Sequence, residues 1–320
     1  MNRINKFIIS FSLSCFTGLA STLSFAGPWY TGPVLAAAGH TIPKGHTNVE
    51  FYSFNTGIIG VYDDQGTVHP IHKNRSYSTN AIISHGLTDK IDVQAVFAYN
   101  FNYNTGAHSQ EPGDTTIGLG YQILEQKDKL WRPDIRFTVQ EILPTGPYQH
   151  LNPNKLGTDS SGLGAYQTAF SINLQNVQQL TDTHYLRTRF TTSYLVAQDT
   201  HVQGLSAYGG TLQTQGTANP GDSRAVDLAT ELSLTQNWVA VMEVNASKRN
   251  ASRFKGMTGI KDMDDFDTIG HEVGKQVSLA PALEFNFTPT VGLIGGVWFP
   301  VYGRSTPKFV SYDLALNAFW

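Results

Sequence analysis

Two histidines three apart, His69 and His72, flank Pro70-Ile71. Imidazoles at that spacing share a metal when a helix turns them to one face, and Pro70 forbids the helix. The pair therefore reads as part of a solvated loop. The run Asp262-Met263-Asp264-Asp265-Phe266-Asp267 begins like a calcium loop. It lacks the oxygen ligand at the fifth place (Phe266), the glycine at the sixth (Asp267) and the glutamate at the twelfth (Val273). A solvated acidic loop is the plainer reading, with loose cation binding as the alternative. A hydrolase would need a serine and a histidine side by side. His85 has no serine visibly paired with it, so no enzyme is expected.

A third set lies among alternating polar positions: Arg136, Arg187, Arg189, Asp92, Gln94, Glu231, Glu243 and Glu284. Charges and amides lining a narrow passage select solutes by charge and hydrogen bonding. The same residues could instead pair with one another and fill the space. Counting along the strands puts the three arginines, Asp92 and Glu284 near one end, and Glu231 and Glu243 nearer the middle. Nothing in either reading calls for a cofactor.

The elements that would position this set are strands. Side chains alternate in β structure, and period-two patterning recurs twelve times after Thr47. The clearest case sets Ile91, Val93, Ala95, Phe97 and Tyr99 against Asp92, Gln94, Ala98 and Asn100. The last strand ends on Trp320, with Ala318, Leu316, Leu314 and Tyr312 on the same face. An apolar strand ending on an aromatic carboxyl terminus is similar to the terminal assembly signal of bacterial outer-membrane barrels. The breaks alternate in length. Thr88-Asp89, Thr235–Asn237 and Thr288–Thr290 are short. Gly57–Asn74, Asn102–Gly113, Pro144–Gly164, Gln198–Ser223 and Arg249–His271 are long and polar, and Pro300–Pro307 is shorter. Short periplasmic turns and long extracellular loops are the rhythm of outer-membrane barrels. The expected fold is all-β, a 12-stranded antiparallel transmembrane β-barrel, closed because hydrocarbon tolerates no open sheet edge. Apolar sets should face lipid and polar sets the lumen.

Composition agrees. Charged residues are 15%, aromatic residues 12% and hydrophobic residues 40%, with 30 glycines. A soluble chain would carry about 25% charge. Arg3 and Lys6 followed by an apolar run and Ser24-Phe25-Ala26 read as a signal peptide, residues 1–26, cleaved after Ala26. Cys15, the only cysteine, leaves with it, and with it any disulfide or thiolate metal site. Of 22 basic and 25 acidic residues, removing Arg3 and Lys6 leaves 20 against 25, a net −5. That balance argues against a nucleic-acid partner. Residues 27–46 carry three prolines and no period. They read as an irregular segment at the periplasmic mouth whose position suits a partial plug, ahead of a barrel over 47–320.

The segments GPWYTGPVLAAAGHTIPKGHTNVE, HGLTDKIDVQ, GDTTIGLGYQIL, QEILPTGPYQHLNPNKLGTDSSGLGAYQT and DLATELSLTQNWVAVMEV resemble a family of bacterial outer-membrane proteins named for the MetA pathway of phenol degradation. The resemblance is spread over most of the chain after residue 26. It implies a barrel engaged in uptake of aromatic or other small hydrophobic compounds, and it carries no binding residues onto this sequence. By the strand count Pro144, Thr145, Gly146 and Tyr148 begin an extracellular loop, either a rigid turn or a flap over the pore. The expected function is a channel passing small solutes by passive diffusion in the outer membrane of a Gram-negative bacterium. The alternative is a closed structural or surface-interaction barrel. Expected partners are the lipid bilayer, lipopolysaccharide, the barrel assembly machinery through the C-terminal strand, and the solute.

Overall fold

The computed structural model describes residues 28–127, 132–259 and 269–320. The twelve patterned segments form one sheet. In chain order its strands are β1 (Thr47–Tyr62), β2 (Val68–Thr88), β3 (Ile91–Asn104), β4 (Ala107–Pro112), β5 (Thr115–Leu124) and β6 (Asp134–Leu143). β7 (Gln167–Gln179), β8 (Tyr185–Ala197), β9 (Thr200–Gln203), β10 (Gln215–Asn219) and β11 (Ser223–Ser233) follow. β12 (Trp238–Arg249), β13 (Arg253–Met257), β14 (Gly274–Thr288), β15 (Val291–Arg304) and β16 (Thr306–Phe319) complete the chain. The order β2-β1-β16-β15-β14-β12-β11-β8-β7-β6-β5-β3, with β2 also paired to β3, closes on itself. β4 continues the path of β5 along the outer half of β3, so the ring counts twelve antiparallel strands. The first and last strands seal it, from Asn48↔Phe319 to Tyr62↔Thr306. No described helix is long and apolar enough to cross a membrane; the strands do the crossing.

Alternation places the large apolar residues outside. Phe51, Phe97, Ile117, Leu228, Met242 and Leu314 are all exposed on the outer face. Asp92, Arg136, Arg187, Arg189, Glu231, Glu243 and Glu284 are buried inside.

Five expectations are corrected. The long break Gly57–Asn74 is mostly strand, because β1 runs to Tyr62 and β2 starts at Val68. A bulge hides it: Ile58 pairs with Asn74 but Gly60 with Pro70, and Pro70 sits where the ladder is already interrupted. His69 and His72 are therefore on β2 and not in a loop, and His69 Nε2 meets Asp63 Oδ2 at 2.8 Å. Asn102–Gly113 is a hairpin turning at Thr105-Gly106, both at positive φ as a primed turn requires. Pro300–Pro307 shrinks to Ser305, also at positive φ, between β15 and β16. The breaks after β8 and β12 contain β9, β10 and β13, which form a second, three-stranded sheet beyond the barrel end. The acidic run 262–267 lies outside the described residues.

The lumen is also less uniformly polar than expected. Val239, Val241, Ile294 and Ala315 face inward from β12, β15 and β16 and form an apolar wall. Val34 is buried on it, flanked by Tyr30 and Leu35. Short or single apolar residues between inward polar ones do not stand out in a period-two pattern.

Candidate functional site

Residues 28–46 have no regular secondary structure apart from a bridge at Lys44, yet they lie inside the ring. Their amides have no ladder to join and must find acceptors. The inward carboxylates supply them. Glu243 accepts from three successive N–H groups: Val34 at 2.5 Å, Leu35 at 3.0 Å and Ala36 at 2.8 Å. Consecutive amides converging on one anion form a nest. Glu284 accepts from Thr31 N at 2.9 Å and Gly32 N at 3.3 Å. Gly32 has φ +121°, which a side chain would oppose. Asp92 accepts from Ile42 N at 2.9 Å and from Arg136 at 2.6 Å.

Neutral and cationic groups complete the grip. Gln122 accepts from Thr41 N at 2.6 Å and donates to Gly39 O at 3.1 Å. Arg189 donates to Ala36 O at 3.1 Å, and Gln175 meets His40 Nδ1 at 2.9 Å. Asn286 binds Thr31 Oγ1 at 2.8 Å and Trp29 O at 3.0 Å. Arg187 lies over the Tyr30 ring, 4.1 Å from its centroid, a cation–π contact. Close approach needs glycine in two places. A Cβ on Gly39 would sit 2.5 Å from Gln175 Cβ, and one on Gly86 would sit 2.1 Å from Pro43 O.

The arginines find acids on neighbouring strands. Arg187 binds Glu231 through Nε at 2.5 Å and through a second nitrogen, and Arg189 Nε lies 3.5 Å from the same carboxylate. Register puts Glu231 directly opposite Arg187, two residues from the turn end of β11. This corrects its expected place nearer the middle: β11 ends at Ser233, and the turn begins earlier than the last apolar residue, Leu234, suggests. Gln94 stands apart from the segment, bonded to Ser84 at 3.0 Å and Gln140 at 3.1 Å.

Beside the segment a cavity of about 780 Å³ remains. Its lining reaches from Asn48, Pro289 and Phe319 at the turn end to Ser193, Leu195 and Ser223 at the loop end. One side is the segment, Tyr30–Ala38. The other is the wall of β1 to β8, where Asn80, Gln94, Gln140, Ser171 and Thr191 mix with Tyr52, Phe54, Ile82 and Ile142. Pro144, Thr145, Gly146 and Tyr148 do not line it. Asp114 holds this corner through Gly146 N at 2.9 Å and Leu163 N at 3.1 Å. Thr145 Oγ1 donates to Gly113 O at 3.0 Å, and Tyr148 OH to His201 O at 3.2 Å. His85 faces outward, 2.9 Å from Thr47 Oγ1.

The sequence reading did not single out Gln122, Gln175, Asn286, Tyr30 or the glycines. The first three occupy inward places in strands it identified, which was the one usable signal.

With this geometry in view, comparison with solved structures gives the fold a context. An outer-membrane channel from Pseudomonas putida F1 superposes with a TM-score of 0.67 at 13% identity, over 90% of this chain and 100% of that one. The NanC porin gives 0.44 at 10% identity over 84% and 98%. The β domain of the Bordetella autotransporter BrkA gives 0.47 at 8% over 87% and 100%. The first establishes a shared architecture, the closed outer-membrane type of barrel; the other two are more distant. No family model and no curated protein sequence matches the chain.

Proposed function

We propose that the chain is an outer-membrane channel through which small uncharged solutes diffuse passively between residues 28–46 and the wall of β1 to β8. The observation that carries this is the remaining cavity of about 780 Å³, reaching from one end of the barrel toward the other. The charged groups on its lining are engaged: Asp92 with Arg136, Arg187 and Arg189 with Glu231, and Glu50 with Asn48 and Asn317. The amides, hydroxyls and aromatic or aliphatic side chains between them suit a solute with an apolar body and one or two hydrogen-bonding groups, such as a phenol. Glu231, Glu243 and Glu284 act on selectivity indirectly, whereas Arg136, Arg187, Arg189 and Asp92 also line the cavity. They hold the segment whose position defines the bore, and Gln94 touches the path directly. In this reading residues 1–26 are a cleaved export signal, 27–46 a partial plug and 47–320 the barrel.

A second reading is a closed barrel that displays its loops. The ordered sheet of β9, β10 and β13, stitched to residues 148–151 by Ala207 N to Tyr148 O at 2.7 Å and Leu151 N to Leu205 O at 2.9 Å, favours it. Solute flux into protein-loaded liposomes separates the two. The channel admits phenol faster than benzoate, and its flux falls as neutral solutes grow. Folded protein that admits neither above empty vesicles supports the closed barrel.

A further inference from the structure

Four cations stand in one row on the outer face of the barrel. Register aligns Arg224 with Lys248, Lys248 with Lys275, and Lys275 with Arg304, on the consecutive strands β11, β12, β14 and β15. Parity puts all four outward, with the exposed Val226, Leu228, Met242 and Val244 below them. Like charges directly opposite across a sheet repel, so such a row is costly without counter-ions. Among the described residues none of the four side chains makes an ion pair or hydrogen bond. Two described carboxylates close in sequence to the row are engaged by neutral donors: Asp222 by Tyr194 OH at 3.0 Å and Ala197 N at 3.1 Å, Glu272 by Ser305 Oγ at 3.0 Å.

The height of the row is informative. The next row toward the turn end is Val226, Ala246, Val277 and Tyr302, and the one after it Leu228, Val244, Leu279 and Phe299. On β12 the outward-facing Trp238, packed on Phe285 at 4.7 Å, marks the opposite edge, ten residues from Lys248. Ten residues rise roughly 33 Å along a strand, or roughly 25 Å at the usual barrel tilt, the height of the apolar band of a transmembrane barrel. The row is therefore the first polar layer above hydrocarbon at the loop end. Four neighbouring strands span roughly 14 Å, wide enough for two phosphates of one headgroup.

We propose that Arg224, Lys248, Lys275 and Arg304 form a binding site for the phosphates of a multiply phosphorylated outer-leaflet glycolipid. The inference rests on the outer-membrane orientation proposed above but not on the channel being open. Basic side chains at a membrane surface each add to binding of anionic headgroups, and the apolar rows beneath provide for the acyl chains.

The test titrates the detergent-solubilised full chain with diphosphorylated lipid A, its dephosphorylated form and inorganic phosphate, read by native mass spectrometry. Diphosphorylated lipid A should bind roughly tenfold or more tighter to the native chain than to the R224Q/K248Q/K275Q/R304Q variant, and the dephosphorylated form should lose that difference. Equal binding by the variant overturns the site. So does binding of inorganic phosphate as tight as that of the lipid, which would make it a free-anion site. Binding seen only after D262N/D264N/D265N/D267N overturns it too, since the chain's own acidic run would then be the counter-ion. Heat-dependent gel mobility of every variant is checked first. Its loss in the native chain sinks the barrel orientation itself, before any lipid is added.

Discussion

Glu243 satisfies three backbone amides with one carboxylate, and a carboxamide of the same shape cannot. Glu243→Gln turns one oxygen into a donor facing another donor. It leaves at least one buried amide unpaired, at a cost of about 1–3 kcal/mol. The segment should then spend more time released, and trypsin should cut after Lys44 faster than in the native chain, with barrel heat-mobility unchanged. His40 adds a pH dependence. It belongs to the segment and not to a membrane-spanning strand, and its imidazole is held down to about 4, first by burial and then by Arg189, Arg187 and Arg136. A released imidazole takes a proton below about 6.5, whereas the docked one resists until about 4. Docking is therefore fully favoured above pH 6.5 and loses ground as pH falls from 6.5 toward 4. Trypsin-accessible Lys44 is awkward at low pH, so a spin label or fluorophore on the segment is the suitable reporter. It should report release across that window in the native chain and a flatter response in His40→Gln.

At the scale of the strand, direction matters more than residue type. Leu228 faces lipid about midway along β11, between Arg224 and Leu232. Leu228→Arg should cost about 2–4 kcal/mol in denaturant unfolding from vesicles. Ser171→Arg, which points into the cavity from β7, should leave stability nearly unchanged and reduce solute flux. Equal stability losses for the two would contradict the assigned faces. These faces were legible in the sequence because lipid on one side and packed polar groups on the other force strict alternation, as in Ile91–Asn100 and Thr115–Ile123. The outer hairpins were not. Gly60, Pro70 and the Ile58–Gly60 bulge break the period just where β1 and β2 leave the apolar band. Beyond that band neither face has to be apolar, so β4, β9, β10 and β13 carry no two-period signal.

At the scale of the molecule, the barrel and the residues pointing into it could be read from the chain, and what they hold could not. Residues 28–46 dock mostly through backbone N–H and C=O groups, which are the same for every residue except proline and so leave little trace in sequence. The carboxylates looked like a charge filter for the same reason: their partners were invisible. Because closure of the ring is complete without the segment, its removal should leave the barrel folded. The decisive measurement is single-channel conductance in a planar bilayer of the chain from residue 27 onward beside one lacking residues 28–44. The account predicts a small, steady conductance for the first and a severalfold larger one for the second. Equal conductances, or silence from both in folded, heat-modifiable protein, would contradict a path running between this segment and the barrel wall.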